Sequence, residues 1–326
     1  MQPNRAPLTY ATYETLVRLY VVPGLGGKRL DRLSVRDVQT WFNRIRQSCQ
    51  CCAQGKDARR PESRRRCCAA GKCCGQVPSA RTTKDMRAVL RSALSQAMTE
   101  GLVSRNVAVL VKLPSGRSRK TSAWSSEEAR AYLESARTDG DPLYAAYVLV
   151  LILGLRKGEV LGLLWDDVDL DEARLVIGAQ LQRVGRRLLH RETKTAASDA
   201  ALPLPVICVS ALRLRAGEQE AAAAAVGPAW QGSKFVFTTR YGMPVEPRTF
   251  NRAFTARCVK AGVRPITVHD ARRTCATLLV DLDVHPRVVM QVLRHAQFAV
   301  TMEVYARVSS ASTREALRRL GESLDG

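Results

Sequence analysis

The run of apolar residues from Leu143 to Leu155 is the feature that most restricts how this chain can fold. A membrane-spanning helix needs about 20 consecutive apolar residues, so this shorter run is typical of a helix enclosed in a globular core. The N-terminal residues MQPNRAPLTYATYE lack the apolar segment of a secretory signal. We therefore predict a cytoplasmic protein with a core large enough to surround this helix and no membrane partner.

The charge balance indicates the kind of partner. The 326 residues include 51 Lys and Arg against 30 Asp and Glu, a formal net charge of +21. Such an excess favours binding to a polyanion, and DNA is the expected one. Anionic lipid is the competing interpretation, which the shortness of the longest apolar run disfavours.

Side chains suited to phosphate chemistry are concentrated between residues 267 and 305. His269 and Arg272 stand three residues apart, so on a helix they share one face, and His295 and Tyr305 follow. A guanidinium donates two parallel hydrogen bonds to phosphate oxygens, an imidazole moves a proton near neutral pH, and a tyrosine can attack phosphorus. These types together predict a phosphoryl-transfer site.

One arginine rarely neutralises a phosphoryl transition state alone, so further cations are expected upstream. Arg156 lies in GLRKGEVLGLLWDDVD and Lys194 in RETKTAASDAALPLP. The resulting ordered set resembles the catalytic signature of the tyrosine recombinases, the phage-integrase family. Its six members are Arg156, Lys194, His269, Arg272, His295 and Tyr305. The resemblance covers residues 8–320, includes FVFTTRYGMPVEPRTFNRAF, ITVHDARRT and VTMEVY, and is strongest to actinomycete mobile-element integrases.

The resemblance implies a site-specific recombinase that cleaves and rejoins DNA through a 3′-phosphotyrosyl intermediate, integrating or excising a phage or an integrative plasmid. Catalysis would need neither metal nor ATP nor another cofactor. The implied roles are Tyr305 as nucleophile, Arg156 and Arg272 on the non-bridging oxygens, His269 as base, Lys194 as acid to the leaving 5′ oxygen, and His295 as a hydrogen-bond donor to phosphate or tyrosine.

Three residues near the six differ from them in what they are expected to do. Glu159 follows Arg156 by three residues and either orients it or forms a surface ion pair. The family often has His at the position of Arg273 and Gly at the position of Arg294. The second departure is expected to alter the turn that presents His295, but the catalytic residue types are intact.

The element patterns predict a mainly α chain with a small antiparallel β-sheet. The resemblance implies that a helical core-binding domain precedes an α+β catalytic domain. The expected boundaries are 1–111 for the first domain, 112–122 for a basic linker, and 123–326 for the catalytic domain and its C-terminal tail. Helices are expected at 8–20, from Ser34 onward, and at 79–99, 143–155, 218–225 and 247–261, and strands at 175–177, 180–184, 187–192 and near 202.

A cysteine-rich insertion, residues 49–74, interrupts the helical pattern of the first domain. Its seven cysteines could supply a four-thiolate zinc site with several thiolates to spare, although the spacing is not a clean pair of C-x-x-C knuckles. Free thiols and oxidative pairing are the alternatives. The cysteines are Cys49, Cys51, Cys52, Cys67, Cys68, Cys73 and Cys74.

Basic residues of the first domain and the linker are the predicted DNA-contact residues. In the family the helix at 79–99 approaches the major groove, and the linker would lie along the DNA backbone. The candidates are Arg81, Lys84, Arg87, Arg91, Lys112, Arg117, Arg119 and Lys120.

Two other functions remain possible on these residues. A type IB topoisomerase uses much the same chemistry, and a DNA-binding regulator would use the basic cysteine-rich insertion and carry a vestigial site. The resemblance further implies double-stranded attachment sites, a tetramer in the synaptic complex and an excisionase or other directionality factor. An N-terminal arm-binding domain is not visible before Leu8.

Overall fold

The computed structural model describes residues 6–114, 123–192 and 200–294, together with Arg318 and Glu322. The chain divides into two compact units, Met1–Arg119 and Lys120–Gly326. The prediction of a mainly α chain with small antiparallel sheets is confirmed. Within the described ranges, no helix combines the length and apolar character that a bilayer crossing requires.

The first unit is helical. Its helices are α1 (Pro7–Leu16), α2 (Val22–Leu25), α3 (Val35–Ile45), α4 (Gln50–Ala53), α5 (Ala80–Thr99) and α6 (Val107–Leu110), with a π-helical turn at Val17–Val21 joining α1 to α2. Their shared core includes Trp41, Phe42, Met86 and Leu94. Ser34 begins α3 as predicted, because its side chain accepts from the Asp37 N–H and Asp37 accepts in return from the Ser34 N–H.

Two details of the first unit were predicted wrongly. The first helix does not end at Tyr20 but continues through Pro23 to Leu25. A proline lacks the N–H that an α-helix needs, and the wider π-helical turn just before it allows the chain to remain helical. On α5, the helical spacing of the apolar residues predicts that Met98 lies on the core face, but this residue is 41% exposed.

The second unit combines helices with two small sheets. Its elements are α7 (Ser126–Thr138), α8 (Tyr144–Ile152), α9 (Lys157–Gly162), β1 (Val168–Asp169), β2 (Arg174–Ile177), β3 (Ala179–Val184), β4 (Arg187–Glu192), β5 (Ala200–Pro203), α10 (Val206–Val226), α11 (Pro247–Lys260), α12 (Val268–Asp281) and α13 (Pro286–Leu293). The sheets are antiparallel, one in the order β1-β2-β5 and the other a hairpin of β3 and β4. The expected helix at 218–225 is the C-terminal part of the longer α10.

The predicted buried helix is α8, which lies at the centre of this unit. From Ala145 to Leu151 every side chain is at most 3% exposed. Tyr147 of α8 packs in an aromatic group with Trp124, Tyr132 and Phe254, in which ring centroids lie 5.0–5.9 Å apart. Removing a large side chain from such a core costs about 3–5 kcal/mol, so α8 is a rigid base for the residues that follow it.

Candidate active site

Arg156 is placed by a tight connection between α8 and α9. Gly154 has φ +57°, and a Cβ there would lie 2.4 Å from Leu293 Cδ2, so the position requires glycine. Arg156 then caps α9. Its backbone N–H donates to Glu159 Oε2 at 2.8 Å and its Nη1 to Glu159 Oε1 at 2.6 Å. The guanidinium is therefore oriented by Glu159, yet the side chain remains 43% exposed.

Glu159 is buried and is not the surface ion pair of the alternative interpretation. Its side chain is 4% exposed. Burial opposes its ionisation, but Arg294 and Arg156 outweigh that effect, so its pKa is lowered. The carboxylate remains charged and fixes the first arginine of the site.

Arg294 is a residue of the site that the sequence did not reveal. It ends α13 with φ 52° and ψ 50°, the left-handed conformation that glycine favours. Its buried guanidinium donates to Glu159 Oε2 at 2.6 Å, and its backbone carbonyl accepts from Arg156 Nη2 at 3.3 Å. The turn thus keeps a glycine-like backbone, while the arginine side chain adds a second cation on Glu159.

Arg272 lies on α12, where Thr267 caps the helix and receives the reciprocal contact of Asp270. The side chain is buried, and its two terminal nitrogens donate to the carbonyls of Gly154 and Leu293. Burial, and next the charge of Arg156, lowers its pKa to about 9. The guanidinium stays protonated at neutral pH, but it is held in a place where a neighbouring anion would stabilise it.

His269 lies one helical turn before Arg272, as the three-residue spacing predicted. Partial loss of hydration, together with the charges of Arg273, Arg272 and Arg156, lowers its pKa below the ordinary 6.5. The imidazole is therefore mainly neutral at pH 7 and can accept a proton.

The side chains of Arg156, His269 and Arg272 line a single cavity of about 570 Å³, which we call the arginine cavity. Two guanidiniums and a neutral imidazole around one opening suit an anion with several oxygens, such as a phosphodiester. The sequence predicted no role for the other polar groups on its wall. The full lining is Leu155, Arg156, Lys157, Gly158, Asn251, Thr255, Thr267, Val268, His269 and Arg272.

Several predicted residues lie outside the described ranges. Lys194, His295 and Tyr305 are among them, as are the linker residues Arg117, Arg119 and Lys120. The structure therefore brings together Arg156, His269 and Arg272 of the six predicted catalytic residues.

The predicted DNA-contact residues of the first unit differ in their surroundings. Arg81, Lys84 and Arg91 are exposed on α5, and Arg81 pairs with Asp85 at 3.0 Å. Arg87 is partly buried, and its Nη1 donates to the carbonyl of Val111 at 3.0 Å. The backbone of Lys112 exchanges two hydrogen bonds with the side chain of Gln39 on α3.

The seven cysteines of residues 49–74 lie together in the first unit, in a segment that we call the cysteine module. Groups of four sulfur atoms there lie within 4.8 Å of one another. The module could therefore hold a metal ion through thiolates.

Comparison with known proteins agrees with the chemistry of the arginine cavity. The model of the phage integrase family matches residues 124–312, so the chain belongs to that family. An integrase of Streptomyces ambofaciens is 29% identical over 90% of this chain and 69% of its own. An integrase of Saccharopolyspora erythraea is 26% identical over 88% of this chain and 72% of its own. The protein is a tyrosine site-specific recombinase of the integrase type.

Solved structures share the fold at low sequence identity. The Tn1549 transposon integrase in complex with transposon right end DNA has a TM-score of 0.74 and 18% identity, over 98% of this chain and 96% of that one. A lambda integrase dimer bound to a COC′ core site has a TM-score of 0.62 and 16% identity, over 95% and 75%. The predicted fold class is confirmed by these neighbours.

Proposed function

We propose that the arginine cavity binds the scissile phosphate of a duplex attachment site and that Tyr305 attacks it. The observation that carries this proposal is the meeting of Arg156, His269 and Arg272 on one cavity wall. Attack forms a 3′-phosphotyrosyl ester and releases a 5′-hydroxyl. Attack by the 5′-hydroxyl of a second strand on that ester rejoins the DNA and frees the tyrosine.

The two arginines stabilise the charge that develops on the non-bridging oxygens. Arg156 is oriented by Glu159 and open to solvent, so it can meet an incoming phosphate without rearranging its carboxylate partner. Arg272 is buried against two carbonyls, which accept its protons but supply no full negative charge. A phosphate oxygen would supply that charge. Preorganised donors of this kind are usually the largest catalytic contribution.

Proton transfer is assigned to three other residues. Neutral His269 accepts the phenolic proton of Tyr305, which ordinarily leaves only near pH 10. Lys194 protonates the departing 5′ oxygen, and His295 donates a hydrogen bond to the phosphate or the tyrosine. The positive charges around the phosphate do what a metal ion does in other phosphoryl transferases.

The first domain, residues 1–111, is proposed to bind DNA, with residues 112–122 as a basic linker and 123–326 as the catalytic domain. Support comes from the exposed cations on α5 and from the net charge of +21. The pairing of Arg87 with the Val111 carbonyl suggests that this residue positions the end of the domain. Arg81, Lys84 and Arg91 are then the better candidates for phosphate contacts.

The working assembly is proposed to be a tetramer on two paired sites. This proposal is supported by the similarity of the chain to a lambda integrase that was solved as a tetramer bound to a Holliday junction, with a TM-score of 0.62 and 16% identity. An excisionase or other directionality factor and a cytoplasmic location complete the proposal. The cysteine module is proposed to hold structural zinc, outside the catalytic reaction.

The experiment is a denaturing gel of the protein incubated with nicked duplexes tiled across the DNA that flanks its gene. A nick near the scissile phosphate lets a short 5′ product diffuse away, so the covalent intermediate accumulates. We expect a protein–DNA adduct with the wild type and none with Tyr305→Phe. An adduct that persists in Tyr305→Phe would overturn the assignment of the nucleophile.

A further inference from the structure

The seven thiols of the cysteine module are arranged as two groups of four that share one residue. One group is Cys49, Cys52, Cys68 and Cys73, and the other is Cys51, Cys67, Cys68 and Cys74. Every cysteine of the module belongs to a group, and Cys68 alone belongs to both. We propose that the module binds two zinc ions, each held by four thiolates, with the Cys68 sulfur bridging them.

Two sulfur separations in each group match those of a zinc tetrahedron, and the others are within 4.8 Å. A Zn–S bond of about 2.3 Å places the sulfurs of a tetrahedral site about 3.8 Å apart. Cys49 and Cys68 are 3.8 Å apart and Cys52 and Cys73 are 3.7 Å apart in the first group. In the second group the distances are 3.8 Å for Cys51–Cys67 and 3.7 Å for Cys68–Cys74.

The two groups of thiols meet at the shared sulfur of Cys68. Cys49 and Cys74 come from different groups, yet their sulfurs are 3.8 Å apart and each is also next to Cys68. Two ions that share a thiolate would bring one terminal ligand of each into this proximity. Two independent sites with separate ligands would not require it.

The order of cysteines in the sequence explains the division. Each of the three Cys-Cys pairs contributes to both groups: Cys52, Cys68 and Cys73 belong to the first group, and Cys51, Cys67 and Cys74 belong to the second. These pairs supply three ligands to each ion. Cys49 is the fourth ligand of the first ion, and the second ion reaches four only by sharing Cys68. The module has three thiolates more than one zinc needs, and its seven thiolates are the number that two bridged ions need.

Other uses of the thiols fit less well. A disulfide holds its sulfurs about 2.05 Å apart, and seven cysteines cannot all pair. All seven are free thiols in the structure. A cluster of several irons needs space for iron and sulfide between its cysteine sulfurs, whereas all four sulfurs of each group here lie within 4.8 Å. Each group is therefore suited to a single tetrahedral ion.

The module also has little else to hold it together. Among residues 46–78 only Gln50, Cys51 and Asp57 are buried. The Asp57 carboxylate accepts hydrogen bonds from the backbone N–H groups of Cys67 and Ala69, each at 3.0 Å. These bonds fix the backbone of the loop that carries Cys67 and Cys68. A segment with so small an apolar core commonly depends on its metal to fold.

Charge favours the loaded state as well. Two zinc ions and seven thiolates leave three negative charges, which the neighbouring cations offset. The interleaved basic residues are Arg59, Arg60, Arg64, Arg65, Arg66 and Lys72. This deepens the proposal of a structural zinc module and does not depend on the chemistry of the arginine cavity.

The test is the zinc content of the full chain, purified without chelator and measured by native mass spectrometry and elemental analysis. We expect two zinc ions per wild-type chain. One ion, none, or a different metal would overturn the proposal. A chain with two zinc ions but no cleavage adduct would leave it standing. A zinc-free chain that forms the adduct would overturn it without affecting the recombinase assignment.

Variants test the bridge. Cys73→Ala and Cys67→Ala each remove a terminal ligand of one group, and we expect one ion to remain in each. Cys68→Ala removes a ligand from both groups and is expected to retain less than one ion. The control is Cys258→Ala, a core cysteine outside the module, which should keep two. Retention of one full ion by Cys68→Ala would show that Cys68 serves a single group.

A second measurement on the wild type avoids any folding defect of the variants. In protein loaded with ¹¹³Cd, the β protons of Cys68 are expected to couple to two cadmium resonances, and those of Cys73 to one. Coupling of Cys68 to a single cadmium would overturn the bridge.

Discussion

The arginine cavity and the cysteine module both fix reactive or charged groups, but they do so by different means. The cavity is built on a large apolar core, from α8 and its aromatic neighbours, and its charges are held by one buried carboxylate and by carbonyls. The module has almost no apolar core and gathers seven thiols. The first site is therefore preformed by packing, whereas the second, as proposed above, depends on the zinc that it binds.

Metal removal is the largest expected effect and acts on one region only. A strong chelator should abolish the folded structure of the module, because structural zinc contributes on the order of 10 kcal/mol or more to such segments. Hydrogen exchange should show loss of protection in residues 49–74 and unchanged protection in Tyr144–Ile152. Chelator saturated with zinc is the control. Equal loss of protection in the module and in α8 would contradict the idea that only the module depends on metal.

Loss of Arg156 is the next largest effect and acts on the other region. We expect Arg156→Ala to lower the rate of adduct formation by about 10³-fold, equivalent to about 4 kcal/mol of transition-state stabilisation. Arg156→Lys keeps the charge but loses the bidentate fork, so its defect should be intermediate. Single-turnover cleavage measures both rates. An Arg156→Ala rate within a factor of ten of wild type would argue against a phosphate contact.

The Glu159 carboxylate contacts both Arg156 and Arg294, and its loss is expected to lower stability. Glu159→Gln leaves the buried Arg294 without its anion and should cost about 3 kcal/mol of unfolding free energy. In a double-mutant cycle with Arg294→Gly, we expect the two costs to be less than additive, because they remove the same ion pair. Calorimetry of the four proteins gives the coupling. Glu134→Gln, at an exposed position of α7, is the matched control and should change stability by less than about 0.5 kcal/mol.

The smallest effect is the pH dependence of His269. Its pKa is lowered by partial desolvation and by the cations nearby, so the neutral base persists below pH 6.5. The cleavage rate should rise with pH through that lowered pKa and be level above it. In a pH–rate profile of the wild type, a half-maximal point below 6.5 supports the assignment. A half-maximal point above 6.5 would contradict a cavity that destabilises the imidazolium.

The sequence predicted two arginines and a histidine of the cavity, and the contact of Glu159 with Arg156, but not the role of Arg294. Their order and the sequence motifs around them identified Arg156, His269 and Arg272. The length of the apolar run from Leu143 to Leu155 identified α8 as a buried helix. Arg294 could not be assigned, because its role depends on a left-handed backbone and on the approach of α13 to Glu159. Neither is encoded in a local pattern.

The same limit applies elsewhere. The early part of α10 was missed because Val206, Ile207 and Val209 have weak helix propensity, which tertiary packing overrides. In the module, the sequence predicted a thiolate site but not its division into two groups. That division depends on which side each member of a Cys-Cys pair faces, which only the folded loops determine.

The most direct test of the central claim is to remove charge from the scissile phosphate itself. A duplex with a methylphosphonate at that position lacks one charged non-bridging oxygen. If Arg156 stabilises that charge, the defect of Arg156→Ala should be at least about tenfold smaller on the methylphosphonate than on the normal phosphate. The same defect on both substrates would contradict the account, since Arg156 would then act on something other than the phosphate.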